Sequence, residues 1–132
     1  ETKRLVDQFS KYTVAKGVHL NGVFTLTENI ADLGGTNIAY DALKLYLKDH
    51  PEKNVKFEGY TQEELFFISY ARSWREKETE ERLKNMIKSD PHAPAYYRVN
   101  GVLENMDSFH EIFKTKKGDK LYKEPKDRIK IW

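Results

Sequence analysis

The run Thr25-Leu26-Thr27-Glu28-Asn29-Ile30-Ala31-Asp32-Leu33-Gly34-Gly35 decides how this chain is read. Thr25 with Glu28 three residues later has the spacing of a capping box, in which hydroxyl and carboxylate satisfy free amides at a helix start. Leu26, Ile30, Leu33, Ile38, Ala42 and Leu45 follow at helical spacing, and Ala39, Leu43 and Tyr46 widen the stripe. So broad an apolar face predicts a long helix surrounded by other elements. Gly34-Gly35 interrupts it. Each glycine costs about 1 kcal/mol against Ala in a helix interior, so a kink or a close backbone approach is expected there.

The flanks read as further helices. Leu5, Val6, Phe9 and Tyr12 predict one from Lys3 to about Val14, and Leu20-Asn21-Gly22-Val23 is a turn signal. Asp49 to Gly59 reads as a linker around Pro51. Thr61 with Glu64 repeats the capping-box spacing. Leu65, Phe66, Phe67, Ile68, Tyr70, Ala71 and Trp74 follow, apolar nearly all round, which predicts deep burial. From Arg75 to Lys88 only Leu83, Met86 and Ile87 could hold a helix, so fraying or a restart is expected. Pro91 and Pro94 punctuate a loop, Asn100-Gly101 reads as a turn, and Met106 to Phe113 as a short helix. Ile129, Ile131 and Trp132 are expected to pin the end. The expectation is an all-α chain, residues 1–132 forming one domain or part of one.

Composition narrows the classes. The chain has 132 residues, ample for one domain and short for a whole enzyme. Hydrophobic residues at 39% argue against disorder, and charged residues at 33% against a membrane span. A net charge of +2 gives no reason to expect nucleic acid as partner. The charge is uneven: Lys114 to Trp132 carries a net +5 and the first 113 residues a net −3. A solvated face explains such a tail more simply than an acidic partner does. No cysteine is present, which excludes disulfides and Cys-ligated zinc.

Two groupings could do chemistry. Glu28 and Asp32 are four apart and share a helix face. One reading makes Glu28 part of the cap and leaves Asp32 solvated. The other makes Glu28 a metal ligand and lets Asp32 accept from the outer nitrogen of a ligating imidazole. A catalytic zinc wants three protein ligands, and His19, His50, His92 and His110 include no pair at helical ligand spacing. In the second grouping, His92-Ala93-Pro94-Ala95-Tyr96-Tyr97-Arg98, a His donor and an Arg fork lie on a proline-stiffened stretch. They could stabilise an oxyanion and grip a carbonyl, or Arg98 could simply tether the loop to a carboxylate.

Three motifs in order resemble the neprilysin-like zinc metallopeptidases. Glu28-Asn29-Ile30-Ala31-Asp32, inside Asn21-Gly22 to Gly34-Gly35, resembles that family's second zinc motif. Asp90-Pro91-His92-Ala93-Pro94 with Arg98-Val99-Asn100-Gly101 resembles its substrate loop. Gly118-Asp119-Lys120-Leu121-Tyr122 with Ile131-Trp132 resembles its C-terminal end. The resemblance implies the C-terminal helical part of a larger thermolysin-like catalytic domain. It makes Glu28 the third protein ligand of one catalytic Zn2+, Asp32 the residue orienting a ligating histidine, His92 a transition-state stabiliser, and Arg98 the holder of a substrate carbonyl. Asn100 would support that loop.

The His-Glu-x-x-His helix of the family, with two zinc ligands and the general base, is not in these residues. The resemblance therefore implies an N-terminal portion of the same protein as companion chain, and a 132-residue piece inactive alone. It implies a zinc endopeptidase acting on oligopeptides before an apolar residue, outside the cytoplasm, in the periplasm, secreted or surface-anchored. Vertebrate members have cysteines where Thr115 and the neighbourhood of Ile129 stand, so a bacterial member is expected. The alternatives are a catalytically inactive homologue and an unrelated helical interaction module.

Overall fold

A computed structural model describes residues 1–131; Trp132, expected to anchor the end, lies outside the described residues. Among the described residues there are six α-helices and one very short hairpin, so the all-α expectation holds.

Helix α1 (Thr2–Phe9) buries Leu5 and Phe9, one turn apart, and stops five residues short of Val14. Thr13-Val14-Ala15 forms strand β1, which pairs antiparallel with β2 (Val18–His19). The β-branched Thr13 and Val14 resist helix, and Gly17 at φ 72° makes the return.

Helix α2 (Leu26–Asp49) is the spine, 24 residues or about 36 Å long. It runs unbroken through Gly34-Gly35. Its start is not the expected capping box, for Thr25 makes no side-chain cap. Thr25 Oγ1 instead donates to the Asn21 carbonyl and accepts from Asn29 Nδ2 at 2.8 Å. Asn21 Oδ1 takes the amides of Val23 and Phe24. The preceding turn, held by Asn21, runs straight into the helix, and the Glu28 carboxylate takes no part in a cap.

The second box is real. Thr61 Oγ1 accepts from the Glu64 amide at 3.1 Å and Glu64 accepts from the Thr61 amide at 2.8 Å, opening α3 (Gln62–Ser73).

 The stretch read as a linker, Asp49 to Gly59, begins on the last residue of α2 and holds a 3-10 turn at Pro51–Lys53 and a tight turn in which Phe57 bridges Tyr60. Helix α3 buries Phe67 alone; Leu65, Phe66 and Ile68 are only partly covered. The broad stripe of α2 is likewise left open, with Ile38 61% and Leu45 63% exposed. Both helices were expected to be surrounded, and this chain has too few elements to surround them.

Helix α4 (Glu80–Ser89) is the expected restart after a break at 75–79, capped by Thr79. Helix α5 (Ala95–Leu103) replaces the turn expected at Asn100-Gly101. Gly101 is there for closeness: a Cβ would come within 2.9 Å of Phe9 and 3.0 Å of the Tyr12 hydroxyl. Gly22 is similar, since a Cβ would strike the Val6 carbonyl of α1. Gly35, where close approach was expected, has open space around it. Helix α6 (Asp107–Phe113) ends on Lys114 in the left-handed conformation.

The core joins Leu5 and Phe9 of α1, Leu33 of α2, Phe67 of α3, Val102 of α5 and Met106. Burying each large side chain contributes roughly 1.5–3 kcal/mol. Ile129 is buried as expected, and its amide donates to Asn105 Oδ1. Lys123 Nζ donates to Gln8 Oε1 and Asn105 Oδ1, both at 2.7 Å, tying the tail to α1.

Candidate active site

Helix α2 presents Glu28 and Asp32 one turn apart, and the segment from Asp90 into α5 lies across them. Buried Asn29 and Leu33 face the core beside the acidic pair. That leaves Glu28 and Asp32 on the rim, where α2 packs against α5.

Glu28 meets His92. The Oε2 to Nε2 distance is 3.1 Å, with side chains 33% and 41% exposed. The other ring nitrogen of His92 lies 2.6 Å from Asp90 Oδ1, which also accepts the His92 backbone amide at 2.9 Å. These two donors, backbone first, hold the Asp90 carboxyl below the usual carboxylate range. An ionised Asp90 can only accept, so Nδ1 carries a proton and donates it there. The imidazole is thereby aimed, with Nε2 toward Glu28.

Asp32 meets Arg98. Nε donates to Oδ2 at 2.6 Å and Nη2 to Oδ1 at 2.7 Å, a two-point fork. The side chains are 12% and 15% exposed, so this pair is far drier than the Glu28–His92 pair. The Asp32 bonds push Arg98 further above its usual value, which keeps it charged. Arg98 Cζ also lies over the Trp74 ring, 4.0 Å from the centroid. Tyr70, one turn before Trp74, donates its hydroxyl to the Arg98 carbonyl at 2.9 Å.

All four residues singled out in the sequence thus come together. Asn100 does not join them; it lies in α5, where its carbonyl accepts the Glu104 amide. Three neighbours were missed. Asp90 stands inside a quoted motif, and its i, i+2 spacing to His92 is that of an Asx turn. Trp74 and Tyr70 carried no local signal beyond apolar helix.

The donor set bears on the expected metal. Among the described residues no group of three or more His, Asp and Glu side chains could hold an ion. Glu28 is a partly exposed carboxylate at the rim, which suits one ligand of a shared site and not a whole site.

Residues 1–129 match the sequence profile of peptidase family M13, and the chain belongs to that family. Human neprilysin is 35% identical over 135 residues, taking in all of this chain and 18% of that protein. The endothelin-converting enzyme homolog of Locusta migratoria is 38% identical over 132 residues, 99% of this chain and 18% of its own length. A zinc metalloprotease of Mycobacterium tuberculosis, solved with an inhibitor, superposes with a TM-score of 0.89 at 34% identity. That match covers 99% of this chain and 20% of that one. The chain spans about one-fifth of the length of these relatives. They come from animals and a bacterium, so the missing cysteines do not assign the chain to bacteria.

Proposed function

We propose that this chain supplies one wall of the active site of a zinc-dependent endopeptidase. The observation that supports it is the convergence of Glu28, His92, Asp32 and Arg98 on one rim of α2 and α5. Glu28 would be one protein ligand of the zinc, and two histidines outside these residues the others. When bound, zinc polarises the scissile carbonyl and lowers the pKa of its water.

The remaining roles belong to this chain's own groups. His92, aimed by Asp90 and carrying a proton on both ring nitrogens, donates from Nε2 to the oxygen that gains negative charge as the carbonyl becomes tetrahedral. Asp32 keeps lone pairs beyond those used by Arg98 and orients a ligating imidazole through them. Arg98 holds a substrate carbonyl, fixing the peptide relative to His92. Oligopeptides cut before an apolar residue are the proposed substrates, and the proposed location is outside the cytoplasm. Among the described residues no helix is long and apolar enough to cross a membrane.

The open stripe of α2 and the uncovered side of α3 support the companion portion, since large exposed apolar faces mark interaction surfaces. An inactive homologue is less well supported, because all four residues are retained.

The test is zinc content and peptide hydrolysis by the intact protein. Glu28→Ala should lose bound zinc and activity together; equal zinc affinity and activity would overturn the ligand role. Metal-dependent cleavage by the isolated 132 residues would overturn the shared site.

A further inference from the structure

We propose that Tyr70 is a positioning residue for Arg98: its hydroxyl fastens the first turn of α5 to α3 and so sets where the guanidinium lies. The inference rests on the reading of Arg98 as the carbonyl-holding group.

Helix α5 is only nine residues long and starts without a side-chain cap. Its N-cap is Pro94, which has no hydroxyl or carboxylate to offer the free amides. The amides of Tyr97 and Arg98 share one acceptor, the Pro94 carbonyl, at 2.8 and 3.1 Å. A helix start held this thinly frays unless neighbours brace it. Two phenols do so. Tyr97 donates outward, to the Thr13 carbonyl at 2.5 Å, but Thr13 belongs to a strand of three residues. Tyr70 donates inward, to the carbonyl of Arg98 itself at 2.9 Å, from the 12-residue α3.

Tyr70 stands on the side of the Asp32 fork. Thr36, one turn after Asp32 on α2, lies beside the Tyr70 hydroxyl and donates its own to the Asp32 carbonyl at 2.6 Å. Burial pushes the Tyr70 pKa above the ordinary 10, so the phenol keeps its proton and stays a donor. The hydroxyl thus lies in the seam of α2, α3 and α5, where both partners of the Asp32–Arg98 pair are rooted. The fork fixes the far end of the Arg98 side chain, and Tyr70 fixes the near end. A backbone that drifts either stretches the fork or carries the guanidinium with it. A carbonyl contact tolerates little misplacement, so either change weakens binding.

Two measurements on the intact protein test this, both with Tyr70→Phe, which deletes the hydroxyl and keeps the ring. The first is amide hydrogen exchange resolved to single residues, which needs no peptidase activity. The Tyr97 and Arg98 amides should exchange about fivefold faster, the effect of one lost hydrogen bond, while the amides of α6 keep their rates. Unchanged rates at Tyr97 and Arg98 overturn the brace. Equal acceleration in α6 overturns it too, since the hydroxyl would then serve the whole fold. The second is a kinetic cycle in the native and Arg98→Ala backgrounds. Tyr70→Phe should raise KM about threefold with kcat within about twofold, and add almost nothing once Arg98 is gone. An equal KM effect in both backgrounds, or none in the native one, overturns the proposal. If the native protein shows no hydrolysis, or Arg98→Ala leaves KM as it was, the proposed role of Arg98 fails, while exchange still decides whether Tyr70 holds α5.

Discussion

At the residue scale, four side chains make up the proposed site, and their surroundings differ. Glu28 is partly exposed and faces an imidazole, whereas Asp32 is nearly dry and locked to a guanidinium. Two carboxylates at i and i+4 thus sit in different settings, one open at the rim and one held by a guanidinium. Removing His92 deletes a donor aimed at developing charge, so His92→Ala should cut kcat about 10²–10³-fold with little change in KM. Asp90→Asn should shift kcat in the same direction by less, because the ring keeps its place but loses the anion behind it. Steady-state kinetics on the intact protein check both. An effect confined to KM would contradict the assigned role. Asp32→Asn should cost roughly 10–100-fold in metal affinity or activity if it orients a ligating imidazole. The sequence named all four residues because their motifs are local. It missed Asp90 as His92's partner, although the two lie within one motif, since only the fold shows the ring turned back on that carboxylate.

At the element scale, glycine meant something different at each site. Asn21-Gly22 and Asn100-Gly101 have turn composition, yet Gly101 lies inside α5 and both glycines admit a neighbour. Gly101→Ala should destabilise by about 1–3 kcal/mol through overpacking against Phe9 and Tyr12. Gly35→Ala, with open space for its Cβ, should instead stabilise this chain by about 1 kcal/mol. Urea melts of the two variants compare them, and destabilisation by Gly35→Ala would show a crowded site. The two capping-box spacings make the same point. Thr61 and Glu64 form the box because the chain reaches Thr61 extended, at ψ 162°. Thr25 sits at ψ 0°, already turning, so its hydroxyl serves Asn21 and Asn29 instead. Spacing cannot report the backbone angle from which a cap is approached.

At the scale of the molecule, the tail is fastened by polar contacts as well as by Ile129. His110 is the histidine at that joint, beside Glu104, Asp107 and Arg128. Its Nε2 lies 2.9 Å from the Glu104 carbonyl and its Nδ1 2.6 Å from the Thr115 hydroxyl. Burial pushes its pKa below the ordinary 6.5. The folded chain therefore binds fewer protons there than the unfolded chain. Its stabilising contribution is complete above about pH 6.5 and declines as the pH falls from there toward the lowered folded value. The Tm should drop between pH 7.5 and 5.5, and His110→Asn should flatten that drop. An identical drop in both would exclude His110 as its source.

By itself the sequence determined the helical class, the third helix start and the family, and it named the four residues of the proposed site. These depend on short-range periodicity and on motifs only a few residues long. Tertiary structure decided what those residues touch. Asp32 and Arg98 are 66 positions apart, and Trp74 is 24 from Arg98. It also decided that the apolar faces of α2 and α3 stay open in this chain. Periodicity shows which face of a helix is apolar, but whether another element covers that face depends on contacts between segments far apart in sequence.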